Sequence, residues 1–144
     1  ESGFSYKVLM DIADVEALSE DLKDSDETLA VDIETTGLNF IQDSIMSIAL
    51  SSRESTWVLP LDHKDSPFKE EPKVWVYLRR ILENPKNKKV FHNAKFDLKF
   101  LINYGIYTKN VWDTKIMHHL VDENVPKGLM DLVKLYFPSE LESL

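Results

Sequence analysis

Between Thr28 and Leu61 the chain reads as three strands in a row, TLAVDIET, DSIMSIALSS and STWVLPL, joined by short turn-rich segments. β-Branched and aromatic residues are frequent in them, and connections this short join antiparallel neighbours, so a three-stranded meander is predicted. Helices and a strand alternate after it. EPKVWVYLRRILENP places Val74, Leu78, Ile81 and Leu82 at helical spacing, KKVFHN is a short apolar strand, and AKFDLKFLINYG reads as a helix ended by Gly105. Further helices are expected over WDTKIMHHLVDEN and GLMDLVKLYF. Ahead of the meander, a short strand over Tyr6 to Met10 precedes a helix from Asp14, with Asp14 as its N-cap. A mixed α/β sheet flanked by helices accommodates this order.

The 144 residues are 43% apolar, enough to bury the core of one domain. No cysteine is present, which excludes disulfides and thiolate metal sites and fits a reducing compartment such as the cytoplasm. No stretch reaches the ~18 apolar residues of a membrane span, and ESGFSYKVLM lacks the layout of a signal peptide. The chain is expected to be a monomeric domain excised from a longer polypeptide, since it begins without methionine and ends in PSELESL. Its net charge of −8 argues against a broad grip on duplex DNA.

Within VDIETTGLNF, strand alternation sends Val31 and Ile33 to one face and Asp32 and Glu34 to the other. Two anions ~6–7 Å apart disfavour each other unless a cation sits between them. A solvated edge strand would also carry such a pair. A third acid is harder to place on a surface. On a wheel of ~100° per residue, Ala94, Leu98, Leu101, Ile102 and Gly105 form the apolar face of the later helix, and Asp97 lies beside it, away from Lys95, Lys99 and Asn103. Such a carboxylate needs a cation or hydrogen bonds. A core-edge aspartate paired with a lysine or a backbone amide would satisfy this; so would a hard divalent ion such as Mg²⁺ or Mn²⁺ held by Asp32, Glu34 and Asp97. His118 and His119, adjacent on an expected helix, point ~100° apart and cannot share one ion; His63 falls in a loop, and His92 is a candidate for touching substrate.

DIETTGL at 32–38 resembles the first motif of the DEDD family of 3′-5′ exonucleases, and HNAKFDLKFL at 92–101, with Asn93 and Asp97 at its N-x-x-x-D spacing, resembles the second. WDTKIMHHL and GLMDLVKLYF are similar to the helices that follow in the proofreading domains of family A DNA polymerases. The resemblance implies a ribonuclease H-like fold and removal of nucleotides from DNA 3′ ends by two-metal hydrolysis. Asp32 would then bridge both Mg²⁺ or Mn²⁺ ions, Glu34 would ligate one, and Asp97 would reach the second. Thr35 and Leu38 would contact the terminal nucleotide, His92 and Asn93 would lie along the strand, and Phe96 would offer a stacking surface. The partners implied are a single-stranded DNA 3′ end and a covalently linked polymerase domain of bacterial or phage origin. An RNA-trimming enzyme of the ribonuclease D type and a lapsed domain that only binds ends are the alternatives. The family's third motif is not found: His118 and Asp122 come too early, and Pro138 interrupts Tyr136 and Glu140. The chain is therefore expected to stop short of that motif and to cut poorly. Its basic residues occur in small groups, Arg79 with Arg80, Lys86 with Lys88 and Lys89, and Lys95 with Lys99, which suits a short single strand better than a duplex.

Overall fold

The computed structural model describes residues 5–114. Six strands and three helices follow one another along them: β1 (Ser5–Val8), α1 (Ile12–Leu22), β2 (Leu29–Thr35), β3 (Ile45–Ser51), β4 (Ser55–Pro60), α2 (Lys73–Leu82), β5 (Lys89–Phe91), α3 (Ala94–Asn103) and β6 (Val111–Asp113). The strands form one mixed sheet in the order β1-β4-β3-β2-β5-β6. The predicted meander is β2–β3–β4, antiparallel throughout. Parallel additions extend it on both sides, β1 beside β4 and β5 then β6 beside β2.

The alternation in β2 is realised as expected, with Leu29, Val31 and Ile33 buried. They pack with Ile48, Leu50, Leu59 and Phe91 of the sheet, Val15, Leu18 and Leu22 of α1, Val74, Leu78, Ile81 and Leu82 of α2, and Phe100 and Leu101 of α3. One core therefore lies between the helices and the face of β2 that carries no acid. No described helix is long and apolar enough to cross a membrane.

Several boundaries differ from expectation for local reasons. The cap of α1 is Asp11, whose carboxylate accepts from the Ala13 amide at 2.9 Å, and Asp14 falls inside the first turn. Helix α2 is trimmed to the stretch between Pro72 at its N-cap and Pro85, since the ring of a proline cannot sit inside a helix. The segment expected to be helical from Trp112 begins instead as β6, whose three residues pair with Lys89, Val90 and Phe91 of β5. A three-residue strand has too little period to be read, and its partner supplies the structure. The remainder of that segment, with His118, His119 and Asp122, and the stretch holding Tyr136 and Glu140 lie outside the described residues.

Candidate active site

Asp32 and Glu34 project from the outer face of β2, both exposed, in register with Ala49 and Ser47 of β3. Small neighbours leave the space above them open. Partial desolvation and the adjacent Glu34 charge raise the Asp32 carboxyl above its usual range, and nearby His92 pulls the other way. Asp97 sits in the first turn of α3 and is 6% exposed. The helix is rotated relative to the sequence-based wheel: Ala94, Asp97, Phe100 and Leu101 are buried, while Ile102 is 47% exposed. Asp97 thus lies within the buried stripe rather than beside it.

Burial, then the charges of Asp32, Asp113 and Glu34, push Asp97 up to about 7. The three predicted acids therefore feel one another across the β2–α3 boundary. No lysine or arginine among the described residues forms an ion pair with any of them. Equally, no three His, Asp or Glu side chains among the described residues are drawn close enough to grip a metal ion as they stand. Unscreened carboxylates repel, and the exposed Asp32 and Glu34 have room to change rotamer.

The start of α3 explains how Asp97 is held. Asn93 adopts a left-handed conformation with φ of 71°, which asparagine tolerates better than most residues. Its side chain makes no cap. The cap comes from β6: the Asp113 carboxylate accepts from the Asn93 amide at 3.2 Å and the Ala94 amide at 3.0 Å. Next to it, His92 Nδ1 lies 2.9 Å from the Thr114 hydroxyl. Asp113 is the residue the sequence reading missed as part of the site. The WDT triplet was visible, but a carboxylate acting on amides twenty positions earlier has no local signature.

The remaining predicted residues divide. Leu38, Asn93 and Phe96 line a common cleft of about 230 Å³ with Phe40, Lys95 and Lys99. Leu38 is 86% exposed at its rim, poised for contact with something absent from the core. Thr35 instead donates its hydroxyl to the Gly37 carbonyl at 2.7 Å and so shapes the turn that presents Leu38. His63 belongs elsewhere, its Nδ1 accepting from the Asp65 amide.

That turn is held by Asp43, which accepts from the Thr36 hydroxyl at 3.1 Å and the Asn39 amide at 3.0 Å. A Cβ on Gly37 would meet the Asp43 carboxylate at 2.4 Å. Gly37→Ala is therefore expected to cost about 1–3 kcal/mol of stability by overpacking. It should also move Leu38 at the rim of the cleft, and thermal melts measure the loss. Adding Asp43→Ala should make the pair of losses less than additive; strict additivity would mean that this contact is not the cause.

A family model described as 3′-5′ exonuclease matches residues 6–143. Protein RRP6-like 1 of Arabidopsis thaliana is 31% identical over 110 residues, covering 76% of the chain and 16% of that protein. DNA polymerase I of Pseudomonas aeruginosa is 28% identical over 139 residues, covering 92% of the chain and 15% of that protein. The chain thus spans less than a fifth of the length of these relatives. Among solved structures, Escherichia coli RNase D, an exoribonuclease, superposes with a TM-score of 0.66 at 20% identity, over 96% of this chain and 32% of that one. The mixed sheet with its flanking helices is the ribonuclease H-like fold of such exonuclease domains.

Proposed function

Because the chain belongs to the 3′-5′ exonuclease family, we propose that Asp32, Glu34 and Asp97 are its catalytic carboxylates and that it removes nucleotides from single-stranded 3′ ends with the help of divalent cations. The observation that carries this reading is the mutual electrostatic pressure of three acids placed on β2 and α3 beside the Leu38–Asn93–Phe96 cleft. The donors are all carboxylate oxygens, which suit Mg²⁺ or Mn²⁺ and not a soft ion. With Asp97 raised to about 7 and no lysine or arginine paired to the group among the described residues, a bound cation would relieve a repulsion already built in.

When bound, two such ions supply positive charge at the scissile phosphate and lower the pKa of the attacking water. The chain's own residues do the rest. Asp32 and Asp97 would hold the ions from β2 and α3, with Glu34 completing the set on the exposed side. Leu38 and Phe96 would clasp the terminal nucleoside through apolar and stacking contact, the latter worth about 1–3 kcal/mol per base. Thr35 acts through the turn it fixes, Asn93 lines the same cleft, and His92 would lie along the strand near Asp32.

DNA editing within a larger polymerase is the finer reading, as in the relative from Pseudomonas aeruginosa. RNA trimming is the second, favoured by the 31% identity to the RRP6-like protein. A 5′-labelled single strand, offered as DNA and as RNA with Mn²⁺, decides between them. A ladder shortening from the 3′ end is expected, faster on DNA; a faster RNA ladder selects the second reading, and no ladder on either overturns both.

A further inference from the structure

The chain is acidic overall, yet at the far end of the strands that carry the site three exposed lysines lie on two neighbouring segments, one of them over an aromatic ring. The segment preceding β5 and the segment preceding β6 are tied together there. The Lys89 amide donates to the Asn110 carbonyl at 2.9 Å, and the Asn110 side-chain amide to the Pro85 carbonyl at 3.3 Å. Lys88 Nζ stands 5.0 Å from the centroid of the Trp112 ring, whose indole N–H donates to the Asn110 side-chain oxygen at 3.1 Å. Lys86 and Lys88 are exposed on the first of these tied segments and Lys109 on the second, and Tyr107 is 63% exposed nearby in the chain.

Two details shape the group. Lys89, grouped with these lysines on sequence grounds, is fully buried, its ammonium donating to the Asn84 and Asn87 carbonyls, so it contributes no surface charge. Lys109, twenty residues later, is exposed on the second segment. The only acid ion-paired to the group among the described residues is Asp24, 3.7 Å from Lys86, with both side chains well exposed. Such a pair exchanges readily with another anion.

The register places the patch relative to the site. Ala30 is opposite Val90, and Val90 opposite Trp112, so the Trp112 ring emerges on the face of the sheet that bears Asp32 and Glu34. It lies two residues back along the strand direction and two strands across from Asp32, roughly 12 Å away. Along that axis the order is patch, acids, cleft.

Resting on the exonuclease reading above, we propose that Lys86, Lys88, Lys109 and Trp112 form a second nucleic-acid subsite. It grips the single-stranded body of the substrate several nucleotides upstream of the 3′ end. Lysines would meet backbone phosphates, and Trp112, already under one cation, would offer its ring to a base. The charge of the patch against the −8 of the whole chain is what selects a polyanion as its occupant.

The test compares a trinucleotide with a twelve-nucleotide single strand, in binding and in 3′ degradation, for the wild type, Lys86→Gln/Lys88→Gln/Lys109→Gln, and a control, Lys64→Gln/Lys69→Gln/Lys73→Gln. The first variant should bind the twelve-mer about tenfold or more weakly, with its log–log salt slope flattened by about 2, and handle the trinucleotide as the wild type does. The control should change little. Equal twelve-mer binding in the first variant, or an equal loss in the control, overturns the subsite while leaving the exonuclease reading intact. A wild type that neither binds nor shortens either oligonucleotide overturns the exonuclease reading and the subsite with it.

Discussion

Asp97→Asn should make the domain more stable in the absence of divalent cations while removing the proposed 3′-end hydrolysis. Asp97 is 6% exposed and pushed up to about 7 by burial and three neighbouring carboxylates. In the unfolded chain it would titrate near 3.9. The folded state therefore holds this proton to higher pH than the unfolded state does. Below about pH 4 both states are protonated and the group costs nothing; the penalty grows as pH rises and is complete above about 7. Asparagine keeps the shape and carries no charge. At pH 8 the variant should exceed the wild type by about 2–4 kcal/mol, a difference that shrinks on acidification and vanishes near pH 4. Urea melts at four pH values in chelator measure it. A variant less stable than the wild type at pH 8 would mean that the carboxylate is satisfied by the fold itself and has no need of a cation.

The second large effect is expected at Asp32. Its side chain is exposed on β2, opposite Ala49, and supports no packing. Asp32→Ala should leave the metal-free melting temperature unchanged or slightly higher, since a like charge beside Glu34 and Asp97 is removed. Hydrolysis of a labelled single strand should fall on the order of 10³-fold or more, because a carboxylate that would hold the cations is gone. The pairing of an intact melt with lost turnover separates a catalytic role from a structural one. Residual activity within a few-fold of the wild type would remove Asp32 from the mechanism.

Much of this was legible in the sequence because it rests on short-range periodicity. Alternation in LAVDIET fixes which face of β2 holds the acids, whatever the neighbouring strands do. The meander comes from connections too short for anything else. The rotation of α3 was less accessible. Its apolar residues nearly encircle it, and Phe100 displaces Ile102 from the core only because β5 and the rest of the core select one side. Strand β6 and the cap that Asp113 gives α3 were invisible for the same reason, being properties of a pairing between distant segments. So was the burial of Lys89, which follows from its position in β5 and not from its own chemistry.

On the proposed function, the acids on β2 and α3 hold a divalent cation. Titration of Mn²⁺ into the chelator-treated wild type at pH 7, followed by calorimetry in two buffers of different ionisation enthalpy, tests it most directly. With Asp97 raised to about 7, part of the population carries a proton that the ion must displace. Binding to the wild type with release of a fraction of a proton is expected, and much weaker binding without that release in Asp97→Asn. Binding of equal strength and equal proton release in both proteins, or no binding to the wild type, would contradict it.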